Sequence, residues 1–249
     1  MTARKECGLF IEFFKELKKN RGAVLGLCLI LFFSLIALFA PLIAPHSPSE
    51  LFDNALRLPP IFSELGSTKF LLGTDDVGRD VLSRLIYGAQ VSMLIGLSVV
   101  FMAMLVGTIL GLISGFYGGI ADKIIMRIID IIMALPSILL AIVVVSVLGP
   151  GLENAVIAVS IVAIPGFTRI VRASVMSEKE KDYVQASKSL GASNSRIMLK
   201  EILPNCMAPL IVQGTLGFSD GILNAAALGF LGLGAQAPTP EWGIMLSDS

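Results

Sequence analysis

The sequence predicts an all-α protein, a polytopic bundle of transmembrane helices, and three observations lead to this prediction. Of the 249 residues, 55% are hydrophobic and only 15% are charged, and the mean hydropathy is +0.82. Soluble domains contain about 45–50% apolar and about 25% charged residues. Long stretches carry no charge, and basic residues gather between alternate stretches. The composition excludes disorder, which requires low hydrophobicity, and argues against an ordinary soluble globule.

The first two spans follow from the spacing of the charges, because crossing about 30 Å of hydrocarbon takes about 20 apolar residues. The 24 residues between Arg21 and His46 are uncharged, which places the first span at 23–44. A run of 37 uncharged residues follows Arg84 and holds the second span at 89–114. The glycine-rich turn expected after it contains Gly115, Gly118 and Gly119.

Three further spans are expected after this turn. The third lies within the 22 uncharged residues between Asp130 and Glu153. Only 15 uncharged residues separate Glu153 from Arg169. The fourth span must therefore extend toward Arg169 and Arg172, whose charged ends can reach the interface. The fifth occupies about 206–234. Five spans are visible, and we expect a sixth, closing span to follow this sequence.

The basic residues predict the orientation of the chain. If the spans alternate, the tail at 1–22, the connection after the second span and residues 169–201 lie on one side. Together they hold 15 of the 19 basic residues, which places the N-terminus in the cytoplasm. The predicted division is a cytoplasmic tail at 1–22, a first span at 23–44, an outer segment at 45–88, and a core at 89–249 that contains an inner segment at 173–205.

Several kinds of site find no support in the composition. Basic and acidic residues number 19 each, so nothing favours nucleic acid binding. The three cysteines, Cys7, Cys28 and Cys206, are isolated and are interpreted as small hydrophobes. His46 is the single histidine, too few for a histidine-rich metal site. No phosphate-binding Gly-x-x-x-x-Gly-Lys-Ser/Thr loop occurs, so we expect no catalytic residue, metal or cofactor in this chain.

The outer segment carries a cluster of charges just before the second span. Thr74 or Asp75 is predicted to cap a helix that continues through Leu85. The cluster is interpreted either as a solvated amphipathic surface or as a docking surface for a partner. The predicted docking residues are Asp75, Asp76, Arg79 and Asp80. Their spacing lacks the remaining ligands of an EF-hand calcium loop.

The inner segment predicts two short helices separated at Gly191, with Ser193 as the N-cap of the second. Pro204 ends this pattern, and the fifth span then begins. Two short helices that project from a bundle bury little surface by themselves. The segment is therefore either a solvated hairpin or a surface that binds a partner.

Two carboxylates fall within the predicted spans, where charge is costly and usually functional. Asp130 lies three residues from Arg127 and is interpreted as half of a local ion pair. Asp220 has Asn224 one helical turn away on the same face, so these two residues line a pathway or bond a neighbouring helix. Glycines along the fifth span permit close packing, either within the subunit or against a partner.

The inner segment resembles the EAA loop of ABC importer permeases. That pattern is Glu-Ala-Ala, three residues, Gly, nine residues, Ile, one residue, and Leu-Pro. The chain matches it at Ala186, Gly191, Leu203 and Pro204. It departs from it at Gln185, Ser187 and Glu201.

Other stretches resemble the dipeptide, oligopeptide and nickel branch of these permeases, and most closely its C-type dipeptide permease subunits. These stretches are residues 73–80, 126–130 with 135–137, and 227–232. The resemblance extends from about Phe14 onward and implies a type I ABC importer permease fold. Members of the family usually continue into a sixth span.

The resemblance implies a permease subunit, not an enzyme, in the bacterial inner membrane, with the outer segment in the periplasm. It implies a second homologous permease, two cytoplasmic ATPase subunits that hold ATP and Mg²⁺, and a periplasmic binding protein that docks on the outer segment. Dipeptides are the implied substrate, with oligopeptides, nickel chelates or another small solute as alternatives. The residues implied to contact the ATPases are Asp182, Tyr183, Gln185, Ala186, Ser187, Leu190, Gly191 and Arg196.

Two other classes of function are weaker on the sequence. A stand-alone secondary transporter or channel predicts a relay of buried charges or an inverted repeat. The spans offer only Asp130 and Asp220, and no repeat is visible. An intramembrane enzyme needs a nucleophile with its base or a set of metal ligands, and the predicted spans contain neither.

Overall fold

The computed structural model describes residues 15, 17–63 and 66–248. Regular structure in this part of the chain is helical, apart from one isolated antiparallel bridge between Thr74 and Asp80. The all-α class predicted from the sequence is confirmed. Most of the tail predicted at 1–22, including Cys7, lies outside the described residues.

The helices follow one another with short connections, except across the outer segment. In chain order they are α1 (Arg21–Leu38), α2 (Ala40–Ile43), α3 (Val81–Tyr117), α4 (Gly119–Met133), α5 (Ser137–Leu148), α6 (Leu152–Glu178), α7 (Asp182–Ser189), α8 (Asn194–Arg196), α9 (Met207–Phe230) and α10 (Trp242–Ser247). A π-helical stretch, Ile197–Ile202, and a 3₁₀ turn, Leu203–Cys206, join α8 to α9. Four helical runs among the described residues are long and apolar enough to cross a membrane, and α4 with α5 makes a fifth if the bent pair counts as one.

Helix α1 lies along the outside of the bundle. The Asn20 side chain caps it by accepting hydrogen bonds from the backbone N–H groups of Gly22 and Ala23, at 3.1 and 3.2 Å. Ala37 is its one buried residue, although the helix packs along α3. Most of the other large apolar side chains of α1 are exposed, as expected for a helix that contacts lipid.

The centre of the bundle is the close pair α3 and α6, which make the most extensive contact in the fold. A stripe of glycines, spaced four residues apart on one face of α3, permits this approach. A Cβ on Gly107 would lie 2.5 Å from Cβ of Phe167, and one on Gly111 would lie 2.6 Å from Cβ of Val171. No larger residue fits at these two positions without moving a helix.

The turn after α3 begins later than the sequence predicts. Gly115 lies inside α3, where an added Cβ would meet Cβ of Val175 at 2.8 Å. Gly118 and Gly119 form the turn with φ angles of +65° and +57°, a region that suits glycine. The turn prediction is therefore wrong for Gly115, which is a packing residue.

The third span, expected between Asp130 and Glu153, is part of a broken pair of helices, and the sequence did not predict the break. Helices α4 and α5 meet at an angle of 94°. Pro136 stands at the break and interrupts helical hydrogen bonding. Helix α5 has 12 residues, about 18 Å at 1.5 Å per residue, which is less than the hydrocarbon thickness. By itself α5 is therefore too short to cross the hydrocarbon, and α4, which precedes it, carries the charged residues.

The fifth crossing is a continuous helical path of mixed geometry. The path passes through Pro204 within the 3₁₀ turn and continues into α9. A Cβ on Gly217 would lie 3.2 Å from the Phe167 ring, and one on Gly221 would lie 3.1 Å from Val99. These two glycines therefore pack within the subunit.

Contacts between distant segments define the two ends of the bundle. At one end, Gly151 N–H donates to Leu233 C=O at 3.3 Å, beside the outer segment. At the other end, Lys179 Nζ donates to Gly115 C=O at 3.1 Å, beside the inner segment. Helix α6 connects these two ends, from Leu152 at the first to Glu178 at the second. The outer and inner segments thus lie at opposite ends of one helical scaffold.

Candidate functional site

The inner segment is anchored to the bundle by a small apolar core. Val184 of α7 is buried, and it packs in one cluster with Ile197, Ile202 and Val175. Helix α7 ends at Ser189, and the turn that follows places Gly191 at a φ of +79°. The two short helical pieces and the break at Gly191 agree with the sequence prediction. The segment is therefore held to the scaffold on one side.

The opposite side of the inner segment is open. Leu190 is 88% exposed and stands at the tip of the turn. Seven of the eight predicted coupling residues are exposed, and Ser187 is half-buried. The seven are Asp182, Tyr183, Gln185, Ala186, Leu190, Gly191 and Arg196. The open side therefore combines one protruding leucine with small and charged residues, and its role in binding a partner stays a prediction.

The Tyr183 side chain is held in place by hydrogen bonds. Its hydroxyl donates to Glu178 at 2.7 Å and accepts from the Asn205 amide at 3.1 Å. Burial of this hydroxyl and its hydrogen bond to Glu178 raise the pKa of Tyr183 to about 12. The residue therefore links the end of α6 to the segment that leads into α9.

Two residues that differ from the EAA pattern, Ser187 and Glu201, are in contact with each other. Ser187 Oγ donates to Glu201 Oε1 at 2.7 Å. The pattern has Ala and Ile at these positions, an apolar pair, where this chain has a hydrogen-bonded pair. Gln185, the third departure, donates from Nε2 to Lys179 C=O at 2.9 Å. The substitutions therefore preserve the packing of α7 on the π-helical stretch.

In the outer segment, Asp75 organises a tight charged loop. Its Oδ1 accepts the backbone N–H groups of Val77 and Arg79 at 3.1 and 2.8 Å. Its Oδ2 lies 2.6 Å from Arg79 Nε and 3.6 Å from Arg84 Nε. Most of the bonding capacity of Asp75 and Arg79 is used inside the segment.

Asp80 is buried, with 1% exposure, and is the N-cap of α3. Its Oδ2 accepts the Ser83 N–H at 3.1 Å and lies 3.2 Å from His46 Nδ1. The expectation that Thr74 or Asp75 caps a helix through Leu85 is wrong. The chain is irregular up to Asp80, because the side chain of Thr74 bonds Ala55 C=O and the Leu58 N–H instead.

Among the four predicted docking residues, Asp76 is the exposed one, at 56%. It pairs with Arg57 through Nε and Nη2 at 2.5 and 2.7 Å. The Arg57 guanidinium lowers the pKa of the Asp76 carboxyl. This charged pair is accessible to a partner, whereas Asp80 is not.

Residues near the end of the chain cover the outer end of α3. Arg84, 3% exposed, donates to Pro238 C=O at 3.3 Å. Trp242 Nε1 donates to Leu85 C=O at 3.2 Å. Glu241 caps α10 by accepting the next two free backbone N–H groups, and its burial raises its pKa. The outer segment, α3 and α10 thus form one interlocked unit.

Two ion pairs join α4 to α6 near the inner end. Arg169 Nη2 lies 2.6 Å from Asp130 Oδ1, and Arg172 bonds Asp122 through Nε and Nη2 at 2.6 and 2.7 Å. The interpretation of Asp130 as the local partner of Arg127 is therefore wrong. The partners of these arginines were not predicted, because the packing of α4 against α6 that brings them together is not visible in the local sequence.

Along α9, Asp220 and Asn224 line one open cavity of about 390 Å³ between α5, α6 and α9. Asp220 is near the middle of the 24-residue helix α9. The Asn224 amide donates to the Asp220 backbone carbonyl at 2.8 Å. The Asp220 carboxylate has no hydrogen-bonding or ionic partner within residues 17–63 and 66–248. A charge at the bilayer centre costs about 2.5–3.5 kcal/mol, so the role of this pair in a pathway stays a prediction.

Sequence reasoning missed two polar residues of this cavity, Ser137 and Gln213. Gln213 precedes Asp220 by seven residues, which is two helical turns, so helical periodicity would have placed both on one face. The position of Ser137 could not be predicted from the sequence, because Ser137 lines the cavity only where α5 begins after the 94° bend.

Comparison with known proteins identifies the family of this scaffold. The profile of the family described as binding-protein-dependent transport system inner membrane component matches residues 107–249. This chain belongs to that family. A second profile, the N-terminal TM domain of oligopeptide transport permease C, matches residues 8–60. The chain is therefore a multi-pass inner-membrane permease of an ABC importer.

The relatives of this permease are similar along nearly its whole length. The di/tripeptide transport system permease protein of Pseudomonas aeruginosa is 55% identical over 96% of this chain and 78% of its own. The dipeptide transport system permease protein of Escherichia coli K12 is 56% identical, over 95% and 79%. The glutathione transport system permease protein of Pectobacterium atrosepticum is 40% identical, over 96% and 77%.

A solved structure shares the fold of the permease. It is an inward-facing form of the MetNI methionine ABC transporter, with a TM-score of 0.54 and 21% identity. The match covers 62% of this chain and 77% of that chain. At this identity the likeness concerns the arrangement of the helices.

Proposed function

We propose that this permease couples ATP hydrolysis by cytoplasmic partners to the uptake of dipeptides. The observation that carries the proposal is the form of the inner segment, anchored by Val184 and exposing Leu190 at its tip. An inner segment that is anchored on one side and exposes one apolar residue on the other suits insertion into a groove on an ATPase. Since Tyr183 links this segment to α6 and the start of α9, closure of the ATPases would tilt these helices.

The proposed assembly contains a second homologous permease, two ATPase subunits that bind ATP and Mg²⁺, and a periplasmic binding protein. The inner segment then lies in the cytoplasm together with the N-terminus. The distribution of basic residues supports this orientation. The permease itself hydrolyses nothing and holds no cofactor.

Dipeptides are the proposed substrate because relatives above 50% identity are dipeptide or di/tripeptide permease proteins. Oligopeptides, nickel chelates and other small solutes are the alternatives. Uptake assays with labelled dipeptide, in competition with tripeptide, nickel chelate or glutathione, distinguish them. Competition by dipeptide alone supports the proposal, and preferential competition by another solute replaces dipeptide with that solute.

For docking of the binding protein we propose the exposed rim of the outer segment, with the Arg57–Asp76 pair as its charged element. Asp75, Arg79 and Asp80 then act indirectly, because their internal bonds fix the shape of that rim. Rim charges of this kind tune partner choice and association rate more than affinity.

Leu190→Asp tests the coupling proposal. The residue is 88% exposed, so the substitution leaves the fold intact. We expect the purified assembly to lose its ATPase subunits, or its binding-protein-stimulated ATP hydrolysis to fall at least about tenfold. Gly191→Arg is a weaker test, since a φ of +79° already strains any side chain there.

Leu51→Asp is the matched control, an exposed leucine of the outer segment. It introduces the same charge at the other end of the molecule, and we expect it to leave the ATPase subunits bound. Normal ATPase recruitment and uptake in Leu190→Asp would show that the inner segment is a solvated hairpin.

A further inference from the structure

The mid-membrane cavity has the chemistry of a binding site. Its polar side chains are one carboxylate, two amides and one hydroxyl, from Asp220, Gln213, Asn224 and Ser137. The rest of the lining is glycine and apolar side chains of α6 and α9. A volume of about 390 Å³ falls within the range of pockets that hold small molecules, roughly 300–1,000 Å³.

The cavity lining carries one negative charge and no positive charge. Asp220 is the one titratable residue of the cavity, and no cation within the described residues lies against it. The arginines of α6, Arg169 and Arg172, are already paired with α4 at 2.6 Å. Asp220 is exposed, and an ionisable residue within a membrane span faces the bundle interior or a water-filled cavity and marks a pathway for substrate or ions. A cation that pairs with Asp220 therefore comes from outside the residues that the structure describes, and the substrate is one source of it.

The other groups restrict what that cation is. Thiols, imidazoles and further carboxylates are absent from the lining, so a transition metal or Mg²⁺ finds too few ligands here. Amides and a hydroxyl around one carboxylate suit an ammonium group that is attached to a polar amide backbone. The Gln213 and Asn224 side chains can bond a peptide C=O and N–H, and their order along α9 places them on either side of Asp220.

We propose that Asp220 receives the N-terminal ammonium group of the peptide during its passage, while Gln213 and Asn224 replace the hydration of its amide. This inference rests on the proposed function and names the part of the substrate that the permease itself recognises. The contact replaces the water that the ammonium loses on leaving the binding protein. It selects for a free amino terminus independently of that protein.

The test measures glycyl-phenylalanine uptake into proteoliposomes that contain the full assembly, with binding protein saturated by the peptide. The readout is peptide imported per ATP hydrolysed. We expect Asp220→Asn to lower this ratio at least about tenfold, Asp220→Glu to stay within about threefold, and Ser219→Ala to match the unmodified chain. Ser219 is the control because it is exposed on α9 and does not line the cavity.

A pH series identifies the ammonium as the partner. The α-amino group loses its proton near pH 7.7–8.0. We expect the difference between the unmodified chain and Asp220→Asn to be greatest at pH 7 and to disappear toward pH 9, where the peptide amine is neutral. At each pH, the import ratio of the unmodified chain is divided by that of Asp220→Asn. This division removes the pH dependence of the binding protein and the ATPases, which both assemblies share.

Three results would overturn the proposal. The first is an import ratio in Asp220→Asn within twofold of the unmodified chain. The second is a loss that is the same at pH 7 and pH 9. The third is a loss of the second permease from the purified Asp220→Asn assembly, because Asp220 would then pair with a cation of that subunit. Failure of the proposed function shows separately, as absence of dipeptide uptake by the unmodified chain.

Discussion

The outer and inner segments both present clustered charges at an end of the same helical scaffold, but they use them in opposite ways. In the outer segment, Asp75 and Asp80 direct their carboxylates inward to backbone N–H groups and buried partners. In the inner segment, α7 buries Val184 alone and leaves its charged face and Leu190 exposed. Similar motifs thus produce a closed structure at one end and an open surface at the other.

This difference shows how to separate structural from interacting charges. Asp80 caps α3 and lies against His46, and it is buried, so its contacts serve the fold. Leu190 is an apolar side chain that is 88% exposed, and the Arg196 side chain has no bonding partner among the residues that the structure describes, so both are available to a partner. Burial and bonding partners, more than charge or motif, therefore decide which residues to assign to docking.

The largest effect on this comparison is expected from Asp80→Ala. The change removes the cap of α3 and leaves the Ser83 and His46 donors unpaired in a buried site. We expect a loss of about 2–4 kcal/mol in the free energy of unfolding, measured by denaturation of the purified permease in detergent. Asp76→Ala is the control, and its unfolding should hardly change because the Arg57–Asp76 pair is exposed. An equal loss of unfolding free energy in both variants would show that the buried Asp80 and the exposed Asp76 contribute alike to the fold.

A smaller effect is expected in the inner segment from the Ser187–Glu201 pair. Ser187→Ala leaves Glu201 Oε1 without its donor, which should cost about 1–2 kcal/mol of unfolding free energy. The double change Ser187→Ala with Glu201→Ile restores an apolar pair and should recover most of that loss. Unfolding of both single variants and the double variant gives the coupling energy. Additive effects would mean that the two residues do not stabilise α7 together.

Hydropathy and charge spacing predicted the helical class and the presence of a first span, and the sequence around Gly191 predicted the break there. The predicted bounds of that span, 23–44, differ from those of α1, which ends at Leu38 before the short helix α2. These features depend on local sequence, such as a long uncharged run or a glycine with positive φ. The α4–α5 bend could not be predicted in the same way. Pro136 indicates an interruption, but the 94° angle depends on packing against α6.

The candidate site was predicted unevenly for the same reason. Asp220 and Asn224 lie one turn apart, so their common face follows from helical geometry. The partners of Asp130, Ser187 and Asp80 lie 14 to 39 residues away in the chain. Such contacts are fixed by how helices pack, and one sequence contains no period that reveals them.

The smallest expected effect is a change in the pH dependence of stability at the closed outer end. Burial raises the pKa of Glu241 above its ordinary value, although two backbone hydrogen bonds oppose the shift. An elevated native pKa means that Glu241 favours folding most below about pH 4.5 and progressively less as the pH rises through its native pKa. Glu241→Gln removes this contribution. The unfolding temperature of the unmodified chain should therefore fall relative to that of the variant as the pH rises from about 4.5. Glu153→Gln, an exposed carboxylate at the same end, should keep the unmodified profile. Parallel pH profiles for Glu241→Gln and the unmodified chain would show that Glu241 is solvated, and that the outer end is less closed than its contacts indicate.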